Sequence, residues 1–238
     1  MKTLEMTRFP TLDYASAEAI NSLCTNLTFC GEDVKSIMMT SCRAGEGKTF
    51  LAMNVARTMA GLGKRVAVLD ADLRRSSIAA TFGLPAQKGI DLGVTHYLAG
   101  KCEMREILYL TNIPGFSILP VGRTAANPLP LLNSSRFSRL IGELCELFDY
   151  VLVDTPPVGV VIDAAEVAKS CSGTVFVVRY NTIHQRELVE AKRQIARTGC
   201  PILGTVINRF SFDAYSGKGY YHKSYYYQSG GIGKNADK

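Results

Sequence analysis

The chain has 238 residues, 47% hydrophobic and 20% charged, enough for one substantial core and with nothing in its composition that demands a second domain. Its formal charge of +6 suits anionic ligands or an acidic membrane face and is too dispersed to argue for nucleic acid as a partner. Apolar runs fall short of the roughly 20 residues a membrane helix needs, no signal-peptide core opens the chain, and seven scattered cysteines without a C-x-x-C pair read as reduced thiols in a cytoplasm.

Residues 1–33 form an N-terminal helical segment, with a helix expected over 16–29. From residue 37 onward short apolar runs, at 37–40, 66–69, 116–121, 150–153, 174–178 and 202–207, alternate with segments of helical period at 49–62, 134–148, 163–170 and 184–198. Continuous apolar strands between helices imply a mostly parallel sheet covered on both faces. The expected fold is therefore a doubly wound α/β domain over 34–210, with ligands at the carboxyl ends of its strands. Past residue 210 the composition turns to Gly, Ser, Tyr and Lys, which marks 211–238 as a flexible tail. Six of the eleven tyrosines lie there, Tyr215, Tyr220, Tyr221, Tyr225, Tyr226 and Tyr227. Their spacing fits neither strand nor helix, so the segment reads as accessible hydroxyls rather than core.

Between the first run and its helix stands S-C-R-A-G-E-G-K-T, residues 41–49. Strand, glycine-containing loop and helix start follow in the order a phosphate cradle requires. Ala44, Gly45, Glu46, Gly47, Lys48, Thr49 and Phe50 are the candidate nucleotide contacts. Gly45 and Gly47 let backbone N–H groups turn toward phosphates, and the helix N-terminus adds its positive end. Lys48 can reach the β and γ phosphates, and the Thr49 hydroxyl can ligate Mg²⁺. Cys42 occupies the place of the first glycine in G-x-x-x-x-G-K-[ST].

Three carboxylates are aimed at the same edge. Asp70 and Asp72 follow the second apolar run; they could cap the next segment, pair with Arg74 and Arg75, or bind Mg²⁺ and orient a nucleophile. Asp154 ends the run Y-V-L-V-D before T-P-P, a Walker B arrangement whose alternative is an N-cap. Arg74 and Arg75 could instead touch phosphate or tail, or form a solvated pair. His96, His184 and His222 have no metal-ligand spacing.

Phosphate loop, D-x-D-x-R, D-T-P-P and a terminal tyrosine cluster together resemble the bacterial tyrosine kinases (BY-kinases) of capsule and exopolysaccharide synthesis. In that family the first loop glycine is often replaced, which accommodates Cys42. The resemblance implies transfer of the ATP γ-phosphoryl group, with Mg²⁺, to tail tyrosines of a neighbouring copy. Asp70 and Asp72 would serve metal and activation, and Asp154 metal through water. Asn208, ending the last run, stands where related ATPases recognise adenine, though a strand-end turn explains it nearly as well. Implied partners are a membrane adaptor at the inner face of the plasma membrane, other copies of the chain and a tyrosine phosphatase.

Three departures stand out. The family's E-x-x-R-x-x-R, which helps build a ring, is here Glu18 with Asn21 and Cys24 in the arginine positions, and neither makes a bidentate arginine contact. The proline and glutamate around the later N-P motif are replaced in Asn127-Pro128-Leu129-Pro130. Many relatives also carry a fused membrane segment, so this chain resembles the split arrangement with a separate adaptor. Two other functions compete. A partitioning or division-site ATPase switch would carry lysine at the position of Arg43 and glycine at Ala44. A non-catalytic nucleotide-binding scaffold is the second.

Overall fold

A computed structural model describes residues 2–84 and 90–210; the six tail tyrosines lie outside them. Eight strands, β1 (Thr3–Leu4), β2 (Ser36–Ser41), β3 (Val66–Asp70), β4 (Tyr109–Thr111), β5 (Phe116–Leu119), β6 (Tyr150–Asp154), β7 (Gly173–Arg179) and β8 (Ile202–Asn208), form one sheet. Its order is β1-β4-β5-β3-β6-β2-β7-β8. From β5 to β8 every pairing is parallel, and β4 runs antiparallel to β5. This is the doubly wound architecture expected from the apolar runs.

The helices are α1 (Tyr14–Thr28), α2 (Lys48–Gly61), α3 (Ile78–Phe82), α4 (Val94–Leu98), α5 (Met104–Ile107), α6 (Leu129–Leu132), α7 (Ser135–Leu147), α8 (Asp163–Ala168) and α9 (Gln185–Ala196). The long ones match the segments of helical period. The two short strands β1 and β4 and the one-turn helices α3 to α6 are additions that periodicity did not reveal.

Strand alternation divides the core into two layers. Met38, Ala67, Leu69, Val151, Val153 and Phe176 join one cluster with Phe137, Leu140 and Leu144 of α7, Val167 of α8 and Ile195 of α9. Ile37, Met39, Val66, Val68, Leu152, Val175 and Val177 join the other with Met53, Val55 and Met59 of α2 and Ile20, Cys24 and Leu27 of α1. By the same alternation Asp70 and Asp154 belong to the face of Val68 and Leu152. They therefore project toward the side on which α2 begins.

Asp13 caps α1, accepting the Ser16 N–H at 2.7 Å. Cys24, only 1% exposed, turns inward against α2, and its thiol donates to the Val55 carbonyl at 3.9 Å. Burial pushes that thiol up to about 12. Asn21 donates to Glu18 at 3.1 Å within its own helix. The two positions at which arginines were expected are thus occupied by a core residue and a locally satisfied amide. All seven cysteines are free thiols.

Candidate active site

The sheet order explains where the chemistry gathers. β6 inserts between β2 and β3, so the phosphate loop after β2 and the acids ending β3 and β6 meet along one carboxyl edge, where ligands of open α/β sheets bind. Asp70 and Asp154 are register partners on adjacent parallel strands.

Gly45 and Gly47 have φ of 78° and 96°, the left-handed region that glycine enters without strain. Gly47 then caps α2, placing Lys48 and Thr49 in its first turn. A Cβ on Gly47 would stand 2.0 Å from Asn208 Nδ2. Asn208 reaches the loop because β8 ends beside it, and its amide donates to the Glu46 carbonyl at 2.9 Å. The Glu46 side chain, read from sequence only as a nucleotide contact, is 2% exposed and works as an internal strut. It accepts the Arg43 N–H at 2.7 Å and the Arg179 N–H at 3.3 Å, tying the loop to the end of β7. Cys42 is buried under the loop, and burial raises its thiol to about 11.

The Thr49 hydroxyl donates to Asp154 Oδ2 at 2.7 Å, whereas the buried Asp154 Oδ1 has no hydrogen-bond partner. Burial lifts this carboxyl to about 6, against the opposing pull of the Lys48 charge and the Thr49 hydrogen bond, with Asp72 adding to the rise. Asp70 is pushed well above the carboxylate range by burial and then by the charge of Asp154. It accepts the Asp72 N–H at 3.2 Å on Oδ1 and the Ser76 hydroxyl on Oδ2. Asp72 accepts the Arg75 N–H at 3.0 Å. Ser77 approaches Thr49 Oγ1 at 3.4 Å.

Closely set buried carboxylates repel one another, and an orphaned acceptor among them costs free energy that a cation or its water would recover. Among the described residues no three His, Cys, Asp or Glu side chains enclose a metal by themselves. Mg²⁺ takes one or two carboxylates and completes its shell with water and phosphate oxygens. Thr49 and one or two of Asp70, Asp72 and Asp154 would hold it.

Two arginines go elsewhere. Arg74, expected on phosphate, tail or solvent, forms a two-pronged pair with Asp163, at 2.6 and 3.1 Å. Asp163 begins α8 and was not singled out from sequence. Arg43 pairs with Glu187 of α9 at 2.7 and 2.8 Å and donates to the Thr182 carbonyl at 3.1 Å.

Fold and site together define a P-loop ATPase domain. A family model described as an AAA domain matches residues 34–179. A tyrosine-protein kinase from Streptococcus pneumoniae, CpsD, is 36% identical over 206 residues, covering 86% of this chain and 89% of its own. The crystal structure of the chimerical protein CapA2B2 matches with a TM-score of 0.76 at 27% identity, over 88% of this chain and 94% of that one. The septum site-determining protein MinD of Pyrococcus horikoshii, solved with Mg-ADP, matches with a TM-score of 0.62 at 21% identity, over 75% and 71%. At that distance the likeness is one of fold. The chain belongs to the bacterial tyrosine kinases, within the larger class of P-loop ATPases.

Proposed function

We propose that this chain is an ATP- and Mg²⁺-dependent protein-tyrosine kinase that phosphorylates the tyrosine cluster of a neighbouring copy and thereby regulates capsular or exopolysaccharide synthesis or export. The observation that carries the reading is the Thr49–Asp154 pair at 2.7 Å, with Asp154 Oδ1 left unpartnered beside Asp70. A phosphate loop opens toward the same edge.

In the transfer, a tyrosine oxygen bonds to the γ-phosphorus, the bond to the bridging oxygen breaks, and ADP departs with that oxygen. Lys48 and the loop N–H groups stabilise charge on the transferred oxygens. Bound Mg²⁺ would neutralise charge on the β and γ phosphates, held by Thr49 and one or two of the three aspartates. A phenol of ordinary acidity, near 10, arrives protonated, so Asp70 or Asp72 orients it or takes its proton. By the resemblance Asn208 would contact the adenine, although its Nδ2 here donates to the Glu46 carbonyl of the loop. Acceptors are Tyr215, Tyr220, Tyr221, Tyr225, Tyr226 and Tyr227, each gaining roughly −1.5 to −2 charge.

Among the described residues no helix is long and apolar enough to cross a membrane. Recruitment to the inner face of the plasma membrane would pass through a membrane adaptor, an arrangement in keeping with the chimeric CapA2B2 neighbour. A tyrosine phosphatase would reset the tail. Arg43 speaks against the division-site switch. It stands at that class's lysine position, yet its guanidinium is engaged by Glu187 of its own chain.

The test is incubation of the purified chain with ATP and Mg²⁺, with and without the adaptor's cytoplasmic segment, followed by phosphotyrosine mapping. Label is expected mainly over residues 215–227 and absent in Lys48→Met. Hydrolysis of ATP with an unlabelled tail would favour the switch, and nucleotide binding with neither outcome the scaffold.

A further inference from the structure

We propose that Asp163 is a positioning residue: it holds the Arg74 guanidinium away from Asp72 and so keeps that carboxylate open to a cation and an acceptor. The inference rests on the proposed cation-holding role of Asp72.

Arg74 follows Asp72 by two residues, on a segment whose backbone already turns back on itself through the Arg75 N–H to Asp72 Oδ1 bond of 3.0 Å. An arginine side chain two residues from a carboxylate is long and flexible enough to turn back onto it. The competition goes to Asp163, which engages Arg74 through both of its oxygens, at 2.6 and 3.1 Å.

Asp163 is 1% exposed, and both of its carboxylate oxygens are turned to this guanidinium. The planar fork of arginine matches a carboxylate edge to edge. Asp72 by contrast accepts one backbone N–H and keeps its remaining acceptor capacity. With no carboxylate at position 163 to engage it, the same fork would turn to Asp72, two residues away in sequence. The pair also spans the two acid-bearing segments: Arg74 lies just past β3 and Asp163 past β6, 89 residues apart in sequence.

The experiment measures binding of a fluorescent ADP derivative, in Mg²⁺ and in EDTA, to the full chain and to Asp163→Asn, Arg74→Gln and the double variant. In Asp163→Asn the Mg²⁺-dependent gain in affinity should fall about tenfold or more, the scale of effect seen when a partner of a metal-holding group is removed. Affinity in EDTA should stay within about threefold, since Asp72 faces the cation rather than the base. Adding Arg74→Gln to Asp163→Asn should return most of the lost Mg²⁺ dependence, because no guanidinium remains to cover Asp72; a coupling of that sign is what a double-mutant cycle detects.

A double variant as weak as Asp163→Asn would overturn the proposal and make the pair a structural bolt alone. Equal loss in Mg²⁺ and EDTA would overturn it too. If Asp163→Asn does not fold, Asp163→Ser with and without Arg74→Gln supplies the same comparison, and the same two outcomes overturn the proposal. A wild-type chain whose nucleotide affinity ignores Mg²⁺ would sink the cation reading itself, and the positioning role with it.

Discussion

Asp154→Asn should make the nucleotide-free protein more stable while impairing its function. In the folded chain the Asp154 carboxyl loses its proton at about 6, against an ordinary value of 3.8. At about 1.36 kcal/mol per pH step, holding it ionised costs the folded state up to about 3 kcal/mol. The sign follows from which state ionises first. Between about pH 4 and pH 6 the unfolded chain has released this proton and the folded chain has kept it, so folding stability falls across that window and then levels off. Asparagine keeps the shape and an oxygen for the Thr49 hydroxyl and carries no charge. Its advantage should be near zero at pH 4, grow to about pH 6 and stay constant above. For a domain of this size about 3 kcal/mol corresponds to roughly 6–12 °C in Tm. Thermal melts of wild type and Asp154→Asn in EDTA at pH 4 and pH 8 measure this. A variant melting lower at pH 8, or one whose gain is the same at both pH values, would refute the reasoning that buried like charge makes this edge seek a cation.

Other substitutions probe the loop. Gly47→Ala puts a Cβ 2.0 Å from Asn208 Nδ2 at a φ of 96°, so it should cost about 1–2 kcal/mol and weaken nucleotide affinity at least about tenfold by calorimetry. Arg43→Ala removes a half-exposed pair with Glu187 and should change stability by less than about 1 kcal/mol, with tail labelling kept within about threefold. A collapse of labelling in that variant would instead place Arg43 at the transferred phosphate.

Asp70 and Asp154 were legible because each ends a continuous apolar run, and a strand of that kind delivers its last side chain to a predictable edge. Asp70 and Asp154 meet there through a register that the sequence does not state, since β6 enters between β2 and β3 from far along the chain; their 84-residue separation carries no local signal. The same holds for the struts. Glu46 meets Arg179, Arg43 meets Glu187 and Arg74 meets Asp163 at separations of 133, 144 and 89 residues. Asp163 reads locally as an acid in the first turn of a helix, where the dipole alone would explain it. The strand β4 escaped notice because three residues, Tyr109–Thr111, are too few to show alternation. Cys24 could be read as a lost arginine, but only packing against α2 tells why a small apolar side chain stands there.

Transfer of a phosphoryl group from this edge into a neighbour's tail is the central claim. Mixing a chain whose six tail tyrosines are phenylalanine with a Lys48→Met chain, in ATP and Mg²⁺, isolates that event: one partner has the site and the other the acceptors. Phosphotyrosine on the Lys48→Met chain over residues 215–227, rising with the concentration of the other, is the expected result. A Lys48→Met chain that stays unlabelled, while the wild-type chain labels itself under the same conditions, would contradict transfer between copies.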